Sequence, residues 1–171
     1  MHRTAPHRHR PQPLEPRDPQ WQEKVRGSFG RQRVMVLIGA ELVDIRPGRC
    51  EIQLPFRHDL TQQNAFFHAG IIGTVVDSAG GYAGFSLMPA GTDVLTVEYK
   101  LNLLAPGDGE RLIAIGEVVK PGKNLVITRG EVYVVKHGRS THCATMQQTL
   151  MTMQQTLMTM HGQSDEQESE P

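Results

Sequence analysis

The stretch from His68 to Met88 constrains the fold more than any other part of this sequence. No proline interrupts it, and Pro89 follows directly. Strands of that length are rare, so we expect one long helix that ends before Pro89. Each interior glycine of the stretch disfavours a helix by up to ~1 kcal/mol relative to alanine. The other residues are mostly apolar and leave no face consistently polar, which predicts a buried helix that depends on packing for its stability.

One charged residue, Asp77, lies in the middle of this apolar stretch. A buried carboxylate costs free energy unless it is paired or put to use. Thr74 or Ser78 could hydrogen-bond it, which would make Asp77 a structural residue. The alternative is a functional carboxylate, and the motifs on either side of Asp77 favour this second interpretation.

These motifs lie at characteristic spacings. His68-Ala69-Gly70 begins nine residues before Asp77, and Gln62 lies six residues before the histidine. A later segment, Thr96-Val97-Glu98-Tyr99, leads to Leu104-Ala105-Pro106. The pattern resembles the hotdog-fold thioesterases, and most closely the phenylacetate-pathway (PaaI-like) acyl-CoA thioesterases. Those enzymes usually have His-Gly-Gly where this chain has His-Ala-Gly, and often asparagine where it has glutamine.

The resemblance covers residues 21–151 and implies both a fold and an activity. The fold would be α+β, with an antiparallel sheet wrapped around a long central helix. The activity would be hydrolysis of an aryl- or medium-chain acyl-CoA, without a metal or a redox cofactor. A non-catalytic acyl-CoA-binding hotdog protein is the alternative, because a fold alone does not determine function. The hydratase branch of the fold would need an Asp-x-Asn-Pro-x-His motif, which we do not find.

The expected catalytic groups divide between the start of the helix and its middle. The backbone N–H groups of Ala69 and Gly70 carry the positive end of the helix dipole, which suits an oxyanion. Asp77 is the expected base or nucleophile, and its apolar setting should raise its pKa. The remaining roles follow from the resemblance. Thr96 would place a hydroxyl beside the carboxylate, and Gln62 would hold the water or the thioester, unless it is an ordinary loop amide. His68 would position the start of the helix, and its alternative role is that of a base.

Helix geometry separates these two groups of residues. His68 and Asp77 are nine residues apart, which corresponds to about 13.5 Å of rise and half a turn. One chain therefore cannot bring both to the same carbonyl. Two chains with antiparallel central helices could, as in the dimers of the family that this chain resembles. We expect a homodimer with shared active sites, and a dimer of dimers remains open.

Composition excludes several other classes of partner. The formal net charge is zero, which argues against nucleic acid or an anionic membrane as the main partner. Cys50 and Cys143 form neither a metal-binding spacing nor a disulfide framework, and no apolar run is long enough to span a membrane. We therefore expect a cytoplasmic protein. Three cations near one turn could meet coenzyme A phosphates or could simply be solvated, namely Lys120, Lys123 and Arg129.

Apolar periodicity predicts the remaining elements. Residues 21–38 have the spacing of an amphipathic helix that Gly27 and Gly30 should weaken, so we expect a break near them. Alternating patterns and turn signals predict strands at residues 41–45, 49–56, 95–103, 111–119, 125–135 and from 140 onward. Because parts of these strands are apolar at both parities, we expect the long helix on one face of the sheet and another subunit on the other face or at an edge.

The two ends of the chain differ in composition from this domain. Residues 1–20 are rich in proline and have few apolar side chains, so we expect a disordered tail. The sequence Thr-Met-Gln-Gln-Thr-Leu-Met at 145–151 repeats identically at 152–158, which indicates a recent duplication. Its spacing fits either a short coiled coil or a strand. We favour a strand through about residue 151. Residues 152–171 would then be a loosely attached extension that holds the second copy and ends in an acidic, disordered tail from Gly162 to Pro171.

Overall fold

A six-stranded antiparallel sheet packs one of its faces, here called the inner face, against a long helix. The computed structural model describes residues 14–155. Its helices are α1 (Trp21–Arg31), α2 (Arg33–Ile38) and α3 (Ala69–Phe85), with a short 3-10 turn at His58–Leu60. Its strands are β1 (Glu41–Arg46), β2 (Arg49–Pro55), β3 (Thr92–Leu103), β4 (Arg111–Lys120), β5 (Leu125–Lys136) and β6 (Arg139–Gln154). They lie in the order β1-β2-β4-β5-β6-β3. The predicted α+β architecture is confirmed.

Helix α3 is the buried central helix that the sequence predicted. It begins at Ala69 and ends at Phe85, and most of its residues are buried. Glycine on the sheet allows its close approach: a Cβ on Gly116 of β4 would lie 2.3 Å from the backbone of Ala79. Such a distance forbids any side chain there. The sheet and the helix backbone therefore touch directly, and packing compensates for the poor helix propensity of α3.

Strand β3 lies at the edge of the sheet and contains a β-bulge. Thr96 pairs with Leu150 of β6 and Glu98 pairs with Thr149, so Val97 is the extra residue. Leu150 is fully buried beneath α3. Its partner Thr96 therefore faces α3 as well, whereas Glu98 faces away. The sequence alternation had placed Thr96 and Glu98 on one face, and the bulge separates them.

The β3 edge of the sheet exposes apolar side chains. Four large side chains on β3 are exposed, from 45% at Leu95 to 54% at Val97, and the other two are Tyr99 and Leu103. An exposed strand edge with apolar side chains offers a template for pairing with another chain.

The start of the described chain is attached to the domain, unlike the tail expected there. Arg17 donates from Nε to the carbonyl of Leu87 at 2.9 Å, and Lys24 donates to the carbonyl of Met88 at 2.8 Å. Asp18 is buried and forms an ion pair with Lys24 at 3.1 Å. These cations bind carbonyls just beyond α3, where backbone acceptors and the negative end of the dipole favour positive charge. Residues 14–20 are therefore anchored to the domain through Arg17 and Asp18.

Two further boundaries refine the expectation. The first helix breaks at Gln32, two residues beyond Gly30, and the backbone of Gln32 is extended. Strand β6 runs to Gln154 and so enters the second copy of the repeat, where Gln154 pairs with Thr92. The other residues of both predicted tails, 1–13 and 156–171, lie outside the described residues. Among residues 14–155, no helix has the length and hydrophobicity needed to cross a membrane.

Candidate active site

Asp77 lies at the middle of α3 and is half-buried, with partners on two strands. Its Oδ1 accepts a hydrogen bond from the Thr96 hydroxyl at 2.9 Å. The Gln148 amide on β6 donates to the same oxygen and lies 3.2 Å from the Asp77 carbonyl oxygen. Gln148 Nε2 is also 3.1 Å from the Thr96 hydroxyl. The carboxylate is therefore held in place by two neutral groups, with no cation beside it among the described residues.

Gln148 is a buried residue that the sequence analysis did not identify. Its Oε1 accepts a hydrogen bond from the buried Thr128 hydroxyl at 2.9 Å. Gly80 makes room for it, because a Cβ at that position would lie 2.1 Å from Gln148 Oε1. One sequence signal could have identified Gln148: it is a polar residue on the same face of the strand as the buried Met146 and Leu150. The heptapeptide was interpreted only as a duplication.

The environment of Asp77 changes its acidity. Burial raises the pKa of this carboxyl, and the hydrogen bonds from Thr96 and Gln148 oppose the rise. The result is a carboxylate that is more basic than an exposed aspartate, as general-base catalysis requires.

A cavity of about 330 Å³ opens beside this carboxylate. It lies between the α1–α2 junction, α3 and the start of β3. The residues that line it are Ser28, Arg31, Gln32, Asp77, Ser78, Gly81, Tyr82, Val94 and Thr96. Asp77 and Thr96 therefore reach a space that can hold a water molecule and a small acyl group.

The start of α3 is capped by His68. Its Nδ1 accepts a hydrogen bond from the Gly70 N–H at 2.9 Å, and its carbonyl accepts from Ile71 at 3.0 Å. The Gly70 N–H, one of two expected oxyanion donors, is therefore occupied by the histidine ring. The Ala69 N–H has no hydrogen-bond partner within residues 14–155, which makes it the available donor at the positive end of the helix.

Gln62 and Ala69 border a second cavity of about 370 Å³. Its other walls come from Phe66, Phe67, Ile72 and the segment Leu103, Leu104, Ala105, Pro106 and Gly107. The Gln62 side-chain oxygen accepts a hydrogen bond from the Asn64 N–H. No residue lines both this cavity and the cavity beside Asp77. One chain thus keeps the predicted catalytic residues in two separate places.

The three cations considered for coenzyme A phosphates lie outside both cavities. Arg129 pairs with Glu117 at 3.4 Å and with Glu131 at 3.3 Å on the outer face of the sheet. The Arg129 side chain is 56% exposed, and a phosphate would have to compete with these two carboxylates for it. Lys120 and Lys123 are exposed at the turn between β4 and β5.

Comparisons with known proteins identify the family. The family model of the thioesterase superfamily matches residues 64–141. The crystal structure of a thioesterase family protein from Silicibacter pomeroyi is 48% identical, with a TM-score of 0.78, and the alignment covers 78% of this chain and 98% of that one. This chain belongs to the thioesterase superfamily. The predicted hotdog thioesterase fold and hydrolase class are therefore confirmed.

Other relatives of this thioesterase are more distant. The PaaI protein from the phenylacetic acid degradation operon of E. coli shares its fold, with a TM-score of 0.70 and 16% identity over 78% of this chain and 94% of that one. A Saccharolobus solfataricus protein named as a possible esterase is 29% identical over 114 residues, which cover 67% of this chain and 73% of the relative. Membership of the superfamily implies a thioester of coenzyme A as the substrate of this thioesterase.

Proposed function

We propose that this thioesterase hydrolyses the thioester bond of an aryl- or medium-chain acyl-CoA, with Asp77 as its general base or nucleophile. One observation carries the proposal: a carboxylate with a raised pKa, held by Thr96 and Gln148, borders a cavity in a thioesterase fold. The position of the carboxylate and its basicity are the two properties that thioester hydrolysis requires of a base.

As a general base, Asp77 removes a proton from water while the water oxygen attacks the thioester carbonyl. The carbonyl oxygen then becomes an oxyanion, which the Ala69 N–H and the helix dipole stabilise. When the tetrahedral intermediate collapses, the carbon–sulfur bond breaks and the thiolate of coenzyme A takes the proton from Asp77. The free acid and the thiol are released, and the carboxylate is restored.

We also propose that each active site combines two chains. Asp77 and Thr96 line one cavity, Gln62 and Ala69 line another, and about 13.5 Å of helix rise separates residue 68 from residue 77. Pairing of two copies along the exposed apolar edge of β3 would bring one copy's carboxylate towards the other copy's helix start. The interface would also cover side chains that are unfavourable in water.

Release of free thiol from a panel of acyl-CoA substrates tests the activity. The panel should contain phenylacetyl-CoA, benzoyl-CoA and straight-chain acyl-CoAs of increasing length. We expect turnover by the wild-type protein and its loss in Asp77→Asn. A protein that binds these compounds at equilibrium but never releases thiol would instead be the non-catalytic acyl-CoA-binding alternative.

Mixed dimers test the shared site. A heterodimer of Gln62→Ala and Asp77→Asn would place both changes in one site and leave the other site with only wild-type residues. We expect it to recover up to about half of the wild-type kcat, provided that each parent homodimer is strongly impaired. The heterodimer can be purified with two different affinity tags. Activity no higher than the mean of the two parents would show that each site comes from a single chain.

A further inference from the structure

The cavity beside Asp77 is more polar than an alkyl chain requires. Pockets for apolar ligands are lined mainly by hydrophobic and aromatic side chains. Here Val94 and the ring of Tyr82 supply most of the apolar lining. The other side chains carry hydroxyl, amide, guanidinium or carboxylate groups, and they belong to Ser28, Arg31, Gln32, Asp77, Ser78 and Thr96.

Most of these polar groups already satisfy one another. Gln32 donates from Nε2 to the Ser78 hydroxyl at 3.3 Å, and its Oε1 accepts from the Tyr82 hydroxyl at 3.2 Å. Gln32 can reach both because it lies at the break between α1 and α2. The side chains of Gln32, Ser78 and Tyr82 therefore satisfy one another by hydrogen bonding and do not require a ligand.

Arg31 takes no part in these hydrogen bonds. It lines the cavity, yet its guanidinium has neither a hydrogen-bond acceptor nor an ion-pair partner among residues 14–155. Arginine presents a planar fork of donors that fits a carboxylate in a bidentate manner. Arg31 and Asp77 line the same cavity without pairing. An anionic group on a ligand would avoid Asp77 by repulsion and bind at the Arg31 end.

The size of the cavity allows such a ligand. Its volume of about 330 Å³ exceeds that of a cavity that admits benzene, which is about 150 Å³. The cavity, which both Asp77 and Arg31 line, therefore has room for an acyl chain with a polar end.

We propose, on the basis of the proposed function, that this cavity selects acyl groups with a carboxylate at the end distal to the thioester. Arg31 is then the specificity-determining residue. The substrate class is the coenzyme A monothioesters of dicarboxylic acids. The thioester carbonyl lies at Asp77, and the free carboxylate binds the guanidinium. This assignment narrows the acyl group beyond the aryl or medium-chain class.

Adipyl-CoA and hexanoyl-CoA provide a matched pair of substrates, because their acyl chains are equal in length and differ in the terminal carboxylate. We expect kcat/KM of the wild-type protein to favour adipyl-CoA by about tenfold or more, the effect of a hydrogen bond to a charged group. Arg31→Gln should abolish this preference, because kcat/KM for adipyl-CoA should fall about tenfold or more relative to kcat/KM for hexanoyl-CoA. Arg33→Gln is the control, since Arg33 is exposed, as Arg31 is, but lines neither cavity. It should keep the preference.

Equal rates for the two substrates, or a preference that survives Arg31→Gln, would overturn the assignment while the proposed function stands. If no acyl-CoA is hydrolysed, the proposed function fails instead. Equilibrium binding then decides the specificity, with the two compounds titrated into Asp77→Asn and into Asp77→Asn with Arg31→Gln. Tighter binding of adipyl-CoA that depends on Arg31 supports the assignment, and equal affinities overturn it.

Discussion

The two parts of the candidate active site differ in how the chain builds them. The helix start, with Gln62 and Ala69, comes from one continuous segment and is open to solvent, apart from half-buried Gln62. The Asp77 cluster joins α3, β3 and β6, and its amide comes from a residue 71 positions further along the chain. The first part depends on local backbone geometry, whereas the second depends on the packing of the whole sheet. Substitutions should therefore affect the two parts differently.

The largest effect should follow from Asp77→Asn. We expect kcat to fall by roughly 10²–10⁴, the range for loss of a positioned acid or base. Oδ1 of asparagine can still accept from Thr96 and Gln148, so the fold should remain. The rate of thiol release at saturating acyl-CoA measures kcat. A variant with the wild-type kcat would make Asp77 a structural residue.

The stability of Asp77→Asn relative to wild type should depend on pH. Because burial raises the pKa of Asp77 in the folded state, the folded protein binds this proton more tightly than the unfolded chain. The stability that this carboxyl contributes is present at low pH and is lost as pH rises through the raised pKa. The free energy of unfolding of Asp77→Asn relative to wild type should therefore increase over that range. Denaturant titrations at several pH values measure it, and an opposite slope would contradict the burial argument.

A smaller effect is expected from Gln148→Leu, which removes the amide and keeps a side chain of similar reach. Thr128 and the Asp77 carboxylate then lose a buried partner, at a cost of about 1–3 kcal/mol in the free energy of unfolding. Loss of a hydrogen bond that lowers the pKa of Asp77 should also move the acid limb of the kcat/KM profile to higher pH.

The neighbouring Gln147→Leu is its matched control, because Gln147 is exposed on the outer face of the same strand. It should leave both the stability and the pH profile close to wild type. Equal effects of the two substitutions would show that Gln148 has no special role.

The helix start should be more tolerant. His68→Ala removes the acceptor for the Gly70 N–H, so we expect a loss of about 0.5–2 kcal/mol in the free energy of unfolding, as for other N-cap residues. His68→Asn, which can still cap, should restore most of it. We expect kcat to change far less than in Asp77→Asn. A loss of activity as large as in that variant, without a loss of stability, would instead make His68 a catalytic residue.

The smallest effect should come from deleting residues 152–158. The chain then continues from Met151 to Thr159 and Met160, which replace Thr152 and Met153 with the same residue types. The pairs of β6 with β3 should therefore persist through these two positions. We expect the melting temperature and activity to remain nearly unchanged. A clear loss of either would show that the second copy has a role that its sequence identity does not reveal.

The difference between the two parts also explains what the sequence could predict. Propensity, apolar periodicity and turn residues predicted the helix, the strands and the helix start, because those signals are local. Thr96 was identified by resemblance, but its face was not, since the bulge at Val97 depends on pairing with β6. Gln148 was missed because its role arises only when Gly80 and Thr128 pack around it. The occupied Gly70 N–H depends on a side-chain rotamer of His68, which sequence does not determine.

The duplicated heptapeptide has a consequence for how this strand could evolve. Side chains on a strand alternate between faces, so a copy with an odd number of residues reverses the orientation of each member. Thr152 repeats Thr145 but falls on the inner side, where its hydroxyl is the one buried side-chain polar atom without a hydrogen-bond partner among the described residues. The duplication of seven residues therefore repeated the residue types but placed each of them on the opposite face of the strand. A duplication of an even number of residues would keep each residue on its original face and could repeat a binding surface. A duplication of seven residues can only lengthen the strand.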